Sequence, residues 1–285
     1  MPESNIGPTR RSDGFPEKMA PFEVSGERPR RRVPTACQLL VSVRSASEAR
    51  QAALGQADII DVKEPRQGAL GAATPTVWRE IAEAVDAAQP LSVALGEARQ
   101  QDEPADVLFP PRLARALAAL PPRFQYAKLG PAGVAEATSL QRRWRQVRAA
   151  LSPTCQFVAV AYADAAAAGS LPPEAILRQA AAAGIEWWLL DTFEKRGRTV
   201  IDVLGPTRLA ALAQQAHQHG LRWVLAGSMR RSDPPIWDRW NPAVIGVRGD
   251  VCRGGRTGTL DVEAIVQWRQ RLAPDRLESP PRELD

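Results

Sequence analysis

A parallel (β/α)8 barrel is the fold predicted from the sequence, and three observations predict it. Between residues 36 and 272, short apolar runs alternate with longer amphipathic patterns, as repeated βα units around a parallel sheet require. Eight such runs can be counted, each followed by a helix-like stretch, and eight repeats close this kind of barrel. The chain is 285 residues long and 44% hydrophobic, enough for one large core, and a single α/β barrel accommodates lengths above about 200 residues. A doubly wound open sheet would carry G-x-G-x-x-G after its first strand, and none follows it here.

The elements follow in order. The first strand, CQLLVSV (37–43), leads into SASEARQAALG (45–55), a helix with a serine cap and a closing glycine. DIIDVK (58–63) is the second strand, and TPTVWREIAEAVDAA (74–88) is its helix, opened by threonine then proline. LSVALG (91–96), YAKLG (126–130) and FVAVAYAD (157–164) are strands three to five, and PPEAILRQAAAAG (172–184) is the helix after the fifth. WWLLDT (187–192), RWVLAGS (222–228) and VIGVRGDVC (244–252) complete the eight, and DVEAIVQWRQRL (261–272) closes the set with a polar, arginine-bearing face. Residues 1–35 carry Pro, Gly, Ser and Arg without hydrophobic period and are expected to be a disordered tail, as are residues 273–285.

Composition narrows the function. The formal charge is +5, but charged residues are 24% of the chain and both signs alternate, which describes an anion-handling protein rather than a nucleic-acid-binding one. QRRWRQVR (141–148) reads as the solvated face of an outer helix. Cys37, Cys155 and Cys252 have no paired spacing, which argues against a disulfide framework or a zinc site and for a reducing cytoplasm. No apolar run approaches the ~18 residues of a membrane helix, and no signal-peptide core opens the chain, so no membrane partner is expected. A homo-oligomer is compatible with all of this.

Lysine usage points to chemistry. Of 37 basic residues only Lys18, Lys63, Lys128 and Lys195 are lysines, and the other 33 are arginines. Arginine keeps its proton near neutral pH, whereas a lysine amine can be tuned to lose it and attack a carbonyl. Lys18 falls in the tail. Lys63 ends strand two, Lys128 lies near the end of strand four and Lys195 follows strand six, so all three reach the C-terminal rim where barrel enzymes place their active sites. Asp61, two residues before Lys63, points to the same side of its strand, while Asp164 and Asp191 end strands five and six. The plain alternative makes each lysine an ion-pair partner, Lys63 with Glu64 or Asp61 and Lys195 with Asp191 or Glu194. Three together, in a chain that otherwise writes Arg, favour convergence, since neighbouring cations and desolvation lower an amine's pKa.

The loops after strands seven and eight, AGSMRR (226–231) and GVRGDVCRGGRTG (246–258), are where such barrels hold phosphate through glycine-exposed N–H groups and arginines. Gly227, Ser228, Arg248, Gly249 and Arg253 suit that task, and the expected ligand is a phosphate ester.

Taken in chain order, LLVSVRSASEARQAALGQADIIDVKEPRQGALGA, YAKLG, AYADAAAAGS, LLDTFEKRGR, LAGSMR and IGVRGDVCRGGR resemble the motifs of the (5-formylfuran-3-yl)methyl phosphate synthase family of methanofuran biosynthesis, over residues 37–272. The resemblance implies a carbon–oxygen lyase that joins two molecules of glyceraldehyde 3-phosphate into a phosphorylated furan with loss of water and phosphate. It implies that Lys63 forms a Schiff base, that Lys128 is the proton acceptor, and that Asp61, Asp191 and Lys195 belong to the site. The imine gives an enamine that attacks the aldehyde of the second molecule, so neither a metal nor an organic cofactor is expected. Asp250 stands where the family usually has a small residue, and is expected either to repel phosphate or to be held by Arg248 or Arg253. The rival readings are another Schiff-base aldolase or isomerase acting on sugar phosphates, and a basic nucleic-acid-binding protein.

Overall fold

The structure is a computed structural model, and it describes residues 37–99, 109–233, 235 and 239–272. The chain divides into two units, residues 1–34 and 35–285, and all described residues lie in the second. Both expected tails therefore fall outside the described residues.

In chain order the elements are β1 (Gln38–Val43), α1 (Ala46–Leu54), β2 (Ile59–Val62), α2 (Pro75–Ala84), β3 (Leu91–Glu97), α3 (Pro111–Ala118), β4 (Tyr126–Gly130), α4 (Ala137–Ala150) and β5 (Gln156–Tyr162). They continue with α5 (Ala165–Ala168), α6 (Pro173–Ala182), β6 (Trp187–Asp191), α7 (Val200–Gln218), β7 (Arg222–Leu225), β8 (Val244–Val247), the short pair β9 (Cys252–Arg253) and β10 (Thr259–Leu260), and α8 (Val262–Leu272). Strands β1 to β8 pair in parallel with their sequence neighbours, and β1 also pairs with β8, so the barrel is closed. This is the predicted (β/α)8 fold.

Strand alternation makes two cores. Leu39, Val41 and Val43 of β1 face outward onto a shell that includes Trp78, Ile81, Leu212 and Trp268. Leu40, Ile59, Ala94, Val158, Trp187, Leu189 and Val244 fill the barrel interior. The tryptophan pair splits between them, with Trp187 inside and Trp188 outside. Helix starts follow the expected chemistry: Ser45 accepts from the Glu48 N–H and Thr74 from the Val77 N–H, while Thr199 and Asp202 form a reciprocal capping box. Helix α7 is broken at Gly205, which takes φ 72° just before Pro206. In α4 the expected solvated face is partly buried, since Arg143 is 2% exposed and donates to the Ala98 carbonyl.

Three strands stop earlier than their apolar runs. β5 ends at Tyr162, and Asp164 instead receives the N–H groups of Phe193 and Glu194. β7 ends at Leu225, because Gly227 and Ser228 adopt left-handed φ values of 96° and 56°. β8 ends at Val247, where the buried Arg248 guanidinium pulls the chain off the barrel and into the β9–β10 hairpin. Among the described residues no helix is long and apolar enough to cross a membrane.

Candidate active site

Parity along three alternate strands brings the amines together. Asp61 and Lys63 on β2 and its end, Lys128 on β4, and Asp191 and Lys195 at the end of β6 and beyond it all line one cavity of about 350 Å³ at the C-terminal mouth. Lys128 sits deeper than expected, in the middle of its strand, and is 2% exposed.

The carboxylates are already shared out. Lys128 Nζ lies 2.5 Å from Asp61 Oδ1, and Asp61 Oδ2 accepts a 3.0 Å bond from the Ser42 hydroxyl. Lys195 Nζ donates to Asp191 Oδ1 at 2.6 Å and to Thr192 Oγ1 at 3.1 Å. Glu64, an expected partner of Lys63, pairs with Arg44 instead. Among the described residues, the Lys63 amine thus faces the cavity with no ion pair or hydrogen bond of its own, although the residue is only 9% exposed.

Burial lowers the Lys63 amine from its ordinary 10.5 to about 8; Asp191 and Asp61 resist that fall, and the charges of Lys195 and Lys128 add to it. Burial works to raise the Asp191 carboxyl, but the Lys195 ammonium, then Lys63 and two hydrogen bonds, outweigh it and hold the group below the ordinary carboxylate range. The site therefore pairs a desolvated amine that sheds its proton readily with a carboxylate that stays ionised.

The phosphate loops are partly as expected. Gly227, Ser228 and Gly249 line the same cavity. Arg248 lines it too, but its five N–H donors are committed: Nη1 to Ser42 O and Glu48 Oε2, Nη2 to Glu48 Oε1 and Gly258 O, and Nε to Arg256 O. Arg248 is thus a structural guanidinium that orders the loop, not an open anion donor. Arg253 is corrected more fully. Its side chain is 80% exposed and paired to Asp261, because β9 turns it away from the cavity. Asp250 is held by Arg231, at 2.8 Å, and by the Trp268 indole N–H, at 2.7 Å, rather than by Arg248 or Arg253. Asp164 lies outside this cavity, and its two oxygens fix the backbone of the loop that carries Lys195.

Two pairs of residues at the mouth were not anticipated. Arg230 and Arg256 line the cavity from the loops after β7 and β8, and reach across to the carbonyls of Gly197 and Gly68. Their signal was present, since both stand in the arginine-bearing loops already singled out. Glu97 and Tyr162 are hydrogen-bonded at 2.6 Å at the ends of β3 and β5. The apolar run of strand three stops at Gly96, one residue before Glu97, and an isolated acid there carries no sequence signal.

Comparison with known proteins gives the family and the fold relatives. The family model described as 4-HFC-P synthase matches residues 39–269. This chain belongs to the 4-HFC-P synthase family. Relatives named (5-formylfuran-3-yl)methyl phosphate synthase include those of Methanosarcina acetivorans, 33% identical over 80% of this chain and 96% of that one, and Methanopyrus kandleri, 35% identical over 83% and 99%. The Methanocaldococcus jannaschii relative is 33% identical over 81% and 98%. Solved structures share the fold: phosphoribosyl anthranilate isomerase from Thermus thermophilus superposes with a TM-score of 0.54 at 16% identity, covering 83% of this chain and 98% of that one. The 3-hexulose-6-phosphate synthase of Salmonella typhimurium gives 0.51 at 17% identity over 83% and 99%. Within this 4-HFC-P synthase family member, the span matched by the family model contains every barrel strand from Leu39 onward and all five residues of the amine–carboxylate cluster.

Proposed function

We propose that the protein condenses two molecules of glyceraldehyde 3-phosphate into (5-formylfuran-3-yl)methyl phosphate through an imine on Lys63, within methanofuran biosynthesis or that of a related one-carbon cofactor. The observation that carries this reading is the Lys63 amine, unpaired among the described residues and lowered by burial to about 8, between two lysines whose carboxylates are engaged. Such an amine is neutral often enough near neutral pH to attack an aldehyde.

Carbon connectivity decides which atoms join. The product bears its phosphate arm on ring carbon 3 and its formyl group on ring carbon 5, so the new carbon–carbon bond joins the middle carbon of one triose to the terminal carbon of the other. That terminal carbon is the one that carried phosphate. The terminal carbon of the first triose attacks the central carbonyl of the second, which reaches its ketose form in the site by loss of a proton from carbon 2, return of one to carbon 1 and passage of the hydroxyl proton to the former aldehyde oxygen. The first triose forms its imine with Lys63, loses a proton from the adjacent carbon and expels phosphate, leaving an enol whose terminal carbon is nucleophilic. Lys128 is the base for that proton, its own proton passing to Asp61 across their 2.5 Å contact so that the amine can accept, and Lys195, beside Asp191, protonates the departing oxygen. Bond formation, ring closure and loss of two waters complete the furan. Gly227, Ser228, Gly249, Arg230 and Arg256 provide N–H groups for the phosphate at the cavity wall.

The test is incubation of the purified protein with glyceraldehyde 3-phosphate alone, with mass analysis of the product. A furan aldehyde phosphate is expected, together with a borohydride-trapped adduct on Lys63. A different aldol or isomerised sugar phosphate would reassign the chain to another Schiff-base reaction on the same fold.

A further inference from the structure

A second cavity, of about 860 Å³, opens at the same end of the barrel and is lined by Gln67 and Gly71 of the loop after Lys63, by Glu97, Arg99 and Arg112, and by Phe193. Leu70, between Gln67 and Gly71, lines the first cavity, and Phe193 precedes Lys195, so the two spaces share walls. Glu97 is the buried acid of this region.

The chain builds a dedicated niche for it. The β3–β4 register breaks between Ala94 and Glu97, and Gly96 within the break takes φ 92°, so a bulge re-aims the last residue of the strand. The carboxyl then occupies the place of a missing side chain on the neighbouring strand: a Cβ on Gly130 would stand 2.0 Å from Glu97 Oε2 and 2.7 Å from the Tyr162 hydroxyl. Gly130 is two residues beyond Lys128 and faces the same way, so Glu97 sits above Lys128 along the barrel axis. Tyr162 is in register with Asp191 on the next strand and donates to Glu97 Oε1 at 2.6 Å, while Ala132 N–H reaches Oε2 at 3.2 Å. Burial raises the Glu97 carboxyl above its ordinary range, and bonds from Tyr162, Ala132 and Leu70 only partly offset this.

We propose that the second cavity receives the second triose phosphate and that Glu97, oriented by Tyr162, is the acid that protonates its central carbonyl oxygen as the carbon–carbon bond forms. This rests on the condensation proposed above. In the step, the enol pair of the Lys63-bound triose forms the new bond to the carbonyl carbon. The carbonyl π pair moves to oxygen, which takes the Glu97 proton and becomes a hydroxyl. The enol hydroxyl loses its proton to solvent as it becomes a ketone, and the Glu97 carboxylate regains one from solvent. Asp61, Asp191 and Asp250 are bound to cationic groups, and the amines serve the first triose, so Glu97 is the remaining carboxyl lining the two cavities among the described residues.

The role has a signature that a structural one lacks. Phosphate leaves before the acid is needed, so Glu97→Gln should keep releasing inorganic phosphate and keep a one-triose adduct on Lys63, while furan formation falls about 10²-fold or more. The wild-type full chain should release one phosphate per furan. Glyceraldehyde 3-phosphate is the probe, with phosphate and furan measured in the same sample. Furan and phosphate falling together, or neither falling, would overturn the assignment. If Glu97→Gln yields no folded protein, Tyr162→Phe, which keeps the carboxyl, decides by the same ratio. Absence of furan from the wild-type protein would refute the proposed function itself, which the ratio in the variants does not test.

Discussion

Lys128 Nζ stands 2.5 Å from Asp61 Oδ1, and both side chains are almost sealed from solvent. The contact settles which lysine is left over: Asp61, two residues from Lys63 on the same strand, is spent on a different strand's amine. Removing the carboxylate would leave a buried ammonium uncompensated. Asp61→Asn is expected to destabilise the fold by about 3 kcal/mol or more. The double change Asp61→Leu with Lys128→Met should recover much of that loss. Denaturant midpoints of the three proteins test it, and equal stability of Asp61→Asn and wild type would contradict a desolvated pair.

A second expectation concerns pH. The Lys63 amine titrates near 8 in the fold and near 10.5 when unfolded, so the unfolded chain holds more protons between those values and stability should rise with pH across that window. Below about 8 the full cost of the buried charge applies. Lys63→Met should therefore be more stable than wild type at pH 7, by on the order of 3 kcal/mol, and the gain should shrink as pH approaches 10.5. Imine trapping on the wild-type protein should accelerate as pH rises through about 8 and then level off. A trapping rate that is flat from pH 6 to 9 would mean that Lys63 is not the titrating nucleophile.

The phosphate contacts separate two arginines in one loop. Arg256 lines the cavity, whereas Arg253 is paired outward with Asp261. Arg256→Ala should raise KM for glyceraldehyde 3-phosphate about tenfold through loss of a charge-assisted bond. Arg253→Ala should leave KM unchanged. Steady-state kinetics on both variants decide, and the reverse pattern would move the phosphate to the outer face.

The sequence carried the barrel because period-two and helical patterns are local, and each strand is short and apolar. Lys63, Lys128, Asp61, Asp191 and Lys195 were legible through parity and strand ends, together with an unusual scarcity of lysine. What stayed hidden was non-local. Arg253 and Arg256 look alike in sequence, and only the β9–β10 hairpin turns one outward and the other in. The saturation of Arg248 needs acceptors at Ser42 and Glu48, some two hundred residues away. Glu97 is placed by a bulge and by the lack of a side chain on Gly130, a relation between two strands that periodicity does not encode.

The final expectation concerns Lys195, whose amine is bound to Asp191 at 2.6 Å and to Thr192 at 3.1 Å. Arginine would preserve the charge and an ion pair to the ionised Asp191, and if Lys195 were only a half-buried counter-ion, Lys195→Arg should change stability by no more than ~1 kcal/mol and leave turnover intact. Arginine cannot release its proton, however, so a group that must give a proton to the departing phosphate and recover it each cycle fails on substitution. Turnover is expected to fall about 10²-fold or more with the fold preserved. Phosphate and furan should fall together in this variant, because the loss precedes carbon–carbon bond formation, and a one-triose adduct that still carries its phosphate should accumulate on Lys63. That pattern is opposite to the one expected for Glu97→Gln, so the two variants read the order of the steps as well as the identity of the acids. Near-normal phosphate release by Lys195→Arg would reduce this lysine to a structural charge and leave the first proton donor to be sought elsewhere on the cavity wall.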